Sequence, residues 1–546
     1  MKEKRSLLVG IISLVLIALV AYLWADALMD SLFDYRSPLA QDPPITGQAA
    51  GSPLTRRVVL VLVDALREDT SLDPEVMPYL NELRQNAAVA TMHSQAPSFS
   101  APGWATILTG AWPDINDSQP ANPPDDDSVR TFTQDDIFAA VDRAGYKTAV
   151  SGFTWFKQML ANSGVDDGFY TTGEDSNADV DVLQSAIPWL EDKEYKLVLI
   201  HLDQVDYAGH HEGGPLREEW KSATHRVDAM LQTIAAHLDF EKDTLLIISD
   251  HGQIDQGGHG GDDPITLVEP FVLLGTGVIP GQYGDVEMVD VAPTVSALLG
   301  METPASNQGR ALMEMLTLSE DQKAEFQAAW QEQQNNLLKV YQNVMTVDGF
   351  SVDETGSAVL AMQTIRAQRL SHERIIRLVI TVILVVVPVY FLVRSHDRKI
   401  WKYVLGAIVS VGIFHVFYAL IEGKTYSLSS LTSAMDFIIG TAKYMGIGFV
   451  LAWVICMFWT KSFDKDIHSV AQASVDFTFI TLYIIALPIL WNFYRNGVLI
   501  TWTLPEFSSM FIGFQAVLQG LVVAVFGLVL TGLSALSVFV VSKRKK

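Results

Sequence analysis

Long uninterrupted apolar runs stand at both ends of the chain, and they predict membrane-spanning helices. Residues 7–25 carry no charged side chain and are long enough to cross about 30 Å of hydrocarbon as a helix. A cleaved signal peptide is the alternative, but the run exceeds the usual signal core and no small-x-small cleavage site follows, which favours an uncleaved anchor. Five further apolar runs predict a carboxyl-terminal bundle at 375–393, 401–421, 436–460, 469–492 and 511–541.

The basic residues around these runs indicate their orientation. Lys2, Lys4 and Arg5 precede the first run, and cytoplasmic ends of membrane helices are rich in Lys and Arg. The loops 422–435 and 493–510, on the opposite side, are poor in basic residues. We therefore predict an integral multi-pass membrane protein with both termini in the cytoplasm and residues 26–374 on the extracytoplasmic side. The basic residues then placed inside are Arg394, Arg398, Lys399, Lys402, Lys461, Lys465 and those of 543–546.

Between the anchor and the bundle, short apolar runs alternate with segments of helical periodicity. RVVLVLVD (57–64), KTAVSGF (147–153), KLVLIHLD (196–203) and DTLLIISD (243–250) are continuous apolar runs, as in strands buried on both faces of a parallel sheet. Segments such as 134–145 and 218–238 carry helical spacing between them. The alternation predicts an α/β fold, with a parallel sheet and helices on both of its faces.

The remaining composition divides the chain in the same way. Residues 26–56 are rich in Pro, Gly and Ala and predict a linker, whereas 316–374 reads as a helical connector back to the membrane. The first 379 residues hold 55 acidic and 25 basic side chains, and residues 380–546 hold 7 acidic and 13 basic ones. An acidic external domain lacks the basic footprint of a nucleic-acid-binding protein. The single Cys456 excludes a disulfide framework and a thiolate metal site.

Acidic and histidine side chains gather where the predicted strands end. Asp64 ends the first strand, and ligands of an open parallel sheet gather beyond the carboxyl ends of its strands. Two short motifs add histidines: Asp206 with His210, and Asp250 with His251, followed by His259. Any one of these residues could be a helix cap or a turn former. Together, carboxylates and imidazoles without thiolates are a ligand set for zinc or a related divalent metal.

With these motifs the sequence resembles the alkaline phosphatase superfamily. Within it, the chain looks like the type I phosphodiesterase/nucleotide pyrophosphatase group and has the layout of the GPI ethanolamine phosphate transferases. The resemblance lies in VLVDALR (61–67), APSFSAPGWATILTG (96–110), HLDQVDYAGH (201–210), SDHGQIDQGGHGG (249–261) and VDVAPTVSALLG (289–300). It implies an alkaline-phosphatase-like catalytic domain at 57–315, between the anchor (1–25) with its linker and the bundle (375–546).

The resemblance also implies two divalent metal ions, which we expect to be zinc. One would be held by Asp206, His210 and His259, and the other by Asp64, Asp250, His251 and the nucleophile. The nucleophile position falls on Ser100, just before Pro102 at a predicted helix start, where free N–H groups and the helix dipole favour a phosphate. A metal bound to its hydroxyl would lower the hydroxyl pKa.

Several neighbouring residues have weaker assignments. Ser98 competes with Ser100 for the nucleophile position, although a capping hydroxyl is the simpler interpretation. Nucleotide-cleaving members carry Asn three residues after the nucleophile, whereas Gly103 stands there, so the sequence does not identify the group that holds a non-bridging phosphoryl oxygen. Trp104, Tyr207 and His211 are weak substrate-binding candidates that could equally pack the core or lie on the surface.

These observations predict a membrane-bound, metal-dependent enzyme that cleaves a phosphate diester through a phospho-Ser100 intermediate. The expected substrate is a phospholipid or a lipid-linked glycan, because a soluble substrate needs only one anchor, and a phosphoethanolamine-type transferase fits best. A phosphodiesterase or nucleotide pyrophosphatase that uses water as acceptor is the first alternative. A sulfatase fits less well because no Arg follows in the Ser100 motif, and a non-catalytic receptor or scaffold would require a decayed ligand set. The oligomeric state stays open.

Overall fold

The chain folds into two compact units. The structure is a computed structural model that describes residues 2–49, 51–395, 397–431, 433–464 and 466–544. The predicted cytoplasmic residues Lys465, Lys545 and Lys546 lie outside this description. The membrane unit comprises Met1–Ser31, Leu370–Ile500 and Pro505–Lys546, and the sheet unit comprises Leu32–Arg369 and Thr501–Leu504.

An eight-stranded sheet of described residues forms the centre of the sheet unit, in the order β4-β3-β5-β1-β6-β7-β2-β8. The four apolar runs read as strands form β3, β5, β1 and β6, which are neighbours in the sheet and pair in parallel. The strands are β1 (Arg57–Val63), β2 (Ala88–His93), β3 (Lys147–Phe153), β4 (Asp167–Thr171), β5 (Tyr195–Leu202), β6 (Asp243–Ile248), β7 (Val268–Gly275) and β8 (Gly281–Glu287).

The predicted α/β fold class is confirmed, with one correction: the sheet is mixed rather than wholly parallel. Strand β7 runs antiparallel to both of its neighbours, β6 and β2. The connection from β6 to β7 holds only a 3-10 turn, Pro264–Thr266, and no crossover helix. A parallel return needs such a crossover, so the chain comes back in the opposite direction.

Helices cover the sheet and form the membrane unit. They are α1 (Lys2–Phe33), α2 (Glu68–Ser71), α3 (Pro78–Leu83), α4 (Ser100–Thr109), α5 (Pro113–Asn116), α6 (Ile137–Arg143), α7 (Trp155–Met159), α8 (Ser176–Glu191), α9 (Gln204–His211), α10 (Glu218–Ala236), α11 (Val291–Leu299), α12 (Glu320–Met345), α13 (Val352–Thr355), α14 (Ala358–Arg394), α15 (Arg398–His415), α16 (Ala434–Trp459), α17 (Ile467–Asn496) and α18 (Phe507–Arg544).

Strand β1 shows how the sheet is buried on both faces. Val58, Leu60 and Leu62 pack into one apolar cluster with residues of α4, α6 and α11. Val59 and Val61, which point to the other face, pack into a second cluster with residues of α3, α8 and α10. Because successive side chains of a strand alternate between faces, a strand buried on both sides must be apolar throughout. The helices therefore lie on both faces, as the sequence predicts.

Six helices of the described residues are long and apolar enough to cross a membrane. Their spans are Ser6–Phe33, Ala358–Arg394, Arg398–Ile421, Met435–Trp459, Ile467–Asn496 and Phe507–Leu536, one for each apolar run of the sequence. Two helices extend beyond the apolar runs. α1 continues into the predicted linker as far as Phe33, and α14 joins the polar stretch 358–374 to the first span of the bundle.

Candidate active site and metal centre

The carboxyl ends of β1, β5 and β6 bring acidic residues together at one edge of the sheet. Asp64 directly follows β1, Asp203 directly follows β5, and Asp250 lies two residues beyond β6. Since β1 lies between β5 and β6 and pairs in parallel with both, these residues lie side by side. Ala65 adopts a φ of 59° and donates its N–H to Asp250 Oδ1 at 3.2 Å, which ties the two strand ends together.

The strand-end cluster consists of Asp64, Asp250 and His251. One ligand atom from each residue lies within 4.8 Å of the others, and all three residues are buried. His251 Nε2 lies 3.4 Å from Asp64 Oδ1 and 3.6 Å from Asp250 Oδ2. The structure thus brings together the three side chains that the resemblance implies for one metal.

The helix cluster consists of Asp206, His210 and His259. Asp206 and His210 are one turn apart on α9, and His259 comes from the loop after β6. The two imidazole Nε2 atoms lie 2.8 Å apart, and each is 3.4 Å from an oxygen of the Asp206 carboxylate. This is the second implied ligand set. The rings of His251 and His259 stack at 4.1 Å, so the two clusters are neighbours.

The ring hydrogen bonds leave free lone pairs directed into the clusters. His251 Nδ1 contacts the Gly252 carbonyl at 3.2 Å, and His259 Nδ1 contacts the Ser98 carbonyl at 2.9 Å. A carbonyl only accepts, so each Nδ1 carries the proton and each Nε2 presents a lone pair to the neighbouring carboxylates. Metal-binding histidines are oriented in this way by a hydrogen bond from the second ring nitrogen.

The electrostatics of the two clusters also fit cations. Asp64 Oδ1 and Asp250 Oδ2 are buried without a hydrogen-bond partner, and no Lys or Arg of the described residues pairs with either carboxylate. Burial, together with the Asp250 carboxylate, raises the pKa of Asp64 well above its usual value, and burial raises that of Asp250 to about 7. Burial lowers the pKa of His251 to about 4 and that of His259 to about 3. Neutral imidazoles beside uncompensated carboxylates are the arrangement that a divalent cation would stabilise.

A third group of potential ligands shares Asp64. His201 Nε2 and Asp64 Oδ2 form a hydrogen bond of 3.0 Å, and Asp203 lies in the same group. Burial lowers the pKa of His201 to about 3, so its imidazole is neutral. His201 therefore orients the Asp64 carboxylate.

Ser100 lies at the start of α4, next to the strand-end cluster. Its Oγ is 3.3 Å from His251 Nε2 and 3.4 Å from the Asn122 side-chain nitrogen, Nδ2. The expectation of free N–H groups at this helix start needs correction for the three residues after Ser100. The Ala101 N–H donates to Asn122 Oδ1, the Gly103 N–H donates to the Phe99 carbonyl, and Pro102 has no N–H. The Asn122 amide is therefore a side-chain donor directed at Ser100.

Asn122 is a functional candidate that the sequence interpretation missed, and Gly103 explains why no amide stands on α4. A Cβ atom at position 103 would lie 3.0 Å from both Cβ and the carbonyl oxygen of Asp250, so the helix packs directly on this ligand candidate. A longer side chain at position 103 would displace Asp250. Asn122 reaches Ser100 from the Pro-rich loop between α5 and α6. In the sequence of this loop, only the neighbouring Pro123 and Pro124 stand out.

Gln253 is a second residue that the sequence interpretation missed. Its amide donates to Asp206 Oδ1 at 2.7 Å, and its Oε1 accepts from the buried indole of Trp220 at 2.8 Å. Gly209, inside the Asp206–His210 motif, makes this contact possible, because a Cβ there would lie 2.1 Å from Gln253 Oε1. Gln253 thus holds the helix cluster in position.

The weaker candidates lie near the site in different ways. Ser98 is not a helix cap: its Oγ contacts the Gly261 carbonyl and accepts from the Gly260 N–H, so it holds the His259 loop. Trp104 is buried in the core, stacked on Phe156 at 4.2 Å. Tyr207 and His211 contact each other at 4.5 Å on the partly exposed side of α9, and nothing in their contacts assigns them a substrate.

The curated relatives that this chain matches include transferases by name. It is 25% identical over 293 residues to the human catalytic subunit of GPI ethanolamine phosphate transferase 3, covering 48% of this chain and 26% of the relative. It is 24% identical over 355 residues to GPI ethanolamine phosphate transferase 2 of Candida glabrata, covering 55% of this chain and 41% of the relative. The chain thus spans less than half the length of these relatives.

The solved structures that part of this chain matches include murine ectonucleotide pyrophosphatase/phosphodiesterase 5. That match has 14% identity and a TM-score of 0.38 and covers 45% of this chain and 96% of the other. The alkaline phosphatase PafA matches with 12% identity and a TM-score of 0.39, over 49% of this chain and 100% of the other.

The family model for type I phosphodiesterase / nucleotide pyrophosphatase matches residues 58–260, which contain both clusters and Ser100. The family match confirms the predicted resemblance to the alkaline phosphatase superfamily, within which residues 58–260 are similar to the type I phosphodiesterase / nucleotide pyrophosphatase group.

Proposed function

We propose that the chain is a membrane-bound phosphoryl-transfer enzyme that moves a phosphoethanolamine-type group from a lipid donor to a lipid or glycan acceptor. The observation that carries this proposal is the position of Ser100. Its hydroxyl stands at a helix start, 3.3 Å from His251 Nε2 and 3.4 Å from the Asn122 amide. A candidate nucleophile and a hydrogen-bond donor thus lie beside the strand-end cluster, and the His251 ring of that cluster stacks on His259 of the helix cluster.

Two divalent ions, which we expect to be zinc, would be held by the two clusters. Asp206, His210 and His259 would hold one, and Asp64, Asp250, His251 and Ser100 the other. The carboxylate and imidazole donors, without thiolates, fit zinc and related metals. When bound, such ions lower the pKa of a coordinated hydroxyl and neutralise charge that develops on a phosphoryl group.

Ser100 and Asn122 would have different roles in the reaction. Ser100 Oγ loses its proton and forms a bond to the phosphorus, while the bond from phosphorus to the donor's alcohol oxygen breaks. The donor leaves as the free alcohol after taking up one proton, so the step is balanced in protons. Asn122 donates its amide N–H to a non-bridging oxygen, where negative charge develops. The hydroxyl of the acceptor next attacks the phospho-Ser100, which releases the serine oxygen to regain a proton. Two successive in-line displacements give net retention at phosphorus.

The choice of a transferase rests on the curated relatives and on the membrane helices. Both relatives described above bear the name GPI ethanolamine phosphate transferase, which suggests a lipid-linked glycan as acceptor. Six helices that can span a membrane are more than a soluble substrate requires. The family name of residues 58–260 favours a second candidate, a phosphodiesterase in which water resolves the intermediate. The assembled ligand set argues against a non-catalytic scaffold.

We further propose that the catalytic domain at 57–315 faces away from the cytoplasm, because the predicted inner loops carry the basic residues. In a Cys456→Ser background, a single cysteine placed at Gln48, in the segment after α1, should react in intact cells with a thiol reagent that does not cross membranes. A cysteine at Lys399, on the predicted cytoplasmic side, should react only after lysis. The reverse pattern would overturn the topology.

Transfer and hydrolysis can be separated with one labelled donor. Purified enzyme receives phosphatidylethanolamine with a radioactive phosphate, with and without a glycan acceptor. We expect label on the protein in the absence of acceptor, at Ser100, and label on the glycan after its addition. Release of free phosphoethanolamine at the same rate with and without acceptor would favour the phosphodiesterase instead.

A further inference from the structure

An apolar groove crosses part of the membrane unit, between α1, α17 and α18. Its cavity measures about 550 Å³ and is lined almost entirely by apolar side chains, among them Val20 and Trp24 of α1, Ala486 of α17 and Gly520 of α18. Along α17 it extends from Phe479 to Ile489. Ten residues of helix rise about 15 Å, half of the ~30 Å hydrocarbon core of a bilayer. The groove therefore has the length of an acyl chain in one leaflet.

One end of the groove meets a polar cluster. Trp24, in the groove wall, donates its indole N–H to the Val498 carbonyl at 2.8 Å. At the preceding residue, Gly497, a Cβ atom would lie 3.1 Å from the guanidinium carbon of Arg377. The guanidinium thus lies beside the chain segment that accepts the hydrogen bond of Trp24. Arg377 Nη1 is buried and has no hydrogen-bond partner among the residues that the structure describes.

The charges of this cluster favour an anion. Arg377 pairs with Glu373, and Arg495 pairs with Glu506, each at 2.5 Å. Arg374 donates to the Arg495 carbonyl at 3.3 Å and has no carboxylate partner among the residues that the structure describes. The side chains of these three arginines and two glutamates together carry a net charge of +1. A guanidinium without a carboxylate and an unpartnered N–H are complementary to the single negative charge and the oxygens of a phosphate diester.

We infer that the groove and this arginine cluster together form a glycerophospholipid-binding site. One acyl chain lies along α17 in the groove, and the lipid phosphate lies against Arg374 and Arg377. A length of about 15 Å of peptide helix, about 10 Å across with its side chains, occupies well over the 550 Å³ of the groove between α1, α17 and α18. A neutral lipid would leave the arginines without an anionic partner. This site is defined by contacts within the membrane unit and does not depend on the proposed reaction.

Retention of lipid by the full-length protein tests the site without reference to activity. Protein in detergent is mixed with dioleoyl phosphatidylglycerol or with dioleoylglycerol, which lacks the phosphate, and bound lipid is counted by native mass spectrometry. We expect one phosphatidylglycerol per chain and about tenfold weaker retention of dioleoylglycerol, the scale of a lost charge-assisted hydrogen bond. Equal retention of the two lipids would overturn the role of the arginines.

Paired variants locate the lipid. Ala486→Trp fills the groove, whereas Leu487→Trp adds the same side chain at the next residue, which is 39% exposed on the outside of α17. Arg374→Gln with Arg377→Gln removes the phosphate partners, and Arg398→Gln with Lys461→Gln removes two exposed charges elsewhere in the unit. We expect about tenfold weaker retention of phosphatidylglycerol in the first member of each pair only. The inference fails if either test variant, monodisperse and with unchanged melting temperature, retains as much lipid as its control.

Discussion

The two candidate metal clusters differ in what holds them. In the strand-end cluster, Asp64, Asp250 and His251 are at most 1% exposed and follow directly from the central strands β1 and β6. In the helix cluster, the side chains of Asp206 and His210 are 15% and 28% exposed and stand on α9, with His259 on a loop. The first cluster is therefore positioned by the sheet, and the second by contacts between a helix and a loop.

The positions of the two clusters therefore depend on different parts of the structure. The strand-end ligands share their positions with the hydrophobic core, so they move only if the sheet moves. The helix cluster depends on a few specific contacts, namely Gln253 with Asp206 and the close approach at Gly209. We expect the strand-end cluster to bind its ion more tightly. We expect metal binding by the helix cluster to be the more sensitive to substitution.

Removal of the metals should have the largest effect on turnover. It also compares metal binding by the two clusters directly. Elemental analysis should find two metal ions per chain, and exhaustive chelation should abolish turnover, which added Zn²⁺ restores. In a graded titration with chelator, one ion should leave first, and His210→Ala should remove that same ion. Full turnover after exhaustive chelation would exclude metal dependence, and simultaneous loss of both ions would contradict the difference between the clusters.

Ser100→Ala should lower turnover by about 10³-fold or more, the scale seen when a covalent nucleophile is removed. Both clusters keep their Asp and His ligands, so the protein should still fold and retain two metals. No phosphoprotein should form from labelled donor. Ser98→Ala serves as the matched control: it removes hydrogen bonds of the His259 loop at a cost of about 1 kcal/mol each, and the phosphoprotein should still form. Near-normal turnover of Ser100→Ala on bis-p-nitrophenyl phosphate would indicate water as the direct nucleophile.

Asn122→Ala should lower kcat by about 10²–10³-fold, as when one donor to a developing oxyanion is removed. The metal content should not change, because Asn122 contacts Ser100 and the Ala101 N–H rather than either set of Asp and His ligands. Steady-state kinetics of Asn122→Ala and of the exposed-site control Asn162→Ala test this expectation. If Asn122→Ala matched its control, another group would have to hold the phosphoryl oxygen.

Gln253→Ala has the smallest expected effect and tests the helix cluster alone. Loss of a hydrogen bond that orients a ligand costs about 10–100-fold in metal affinity. We expect this loss for the weaker of the two ions and no change for the tighter one, measured by competition with a zinc indicator. Gln256→Ala, at an exposed position three residues later in the same loop, is the control. Equal weakening of both ions would show that Gln253 supports the whole site rather than one cluster.

Local patterns of the sequence were sufficient for much of this protein. Continuous apolar runs, three of them ending in Asp, located β1, β3, β5 and β6, because strands covered on both faces must be apolar throughout. The long apolar segments located six helices that can cross a membrane, because backbone groups in hydrocarbon must be bonded within the helix. The spacing of Asp206 and His210 places both on one face of a helix, so their pairing also follows from the sequence.

Only the tertiary structure decided which distant residues complete the site. Asn122 reaches Ser100 from a loop, and Gln253 reaches Asp206 from beyond another strand, so neither contact leaves a periodic trace in the sequence. Gly103 reads as an ordinary small residue until Asp250 is seen 3.0 Å from its missing Cβ. The reversal of β7 likewise depends on the absence of a crossover helix after β6. Periodicity reports how one segment is buried, whereas the partners across a gap are set by the packing of whole elements against each other.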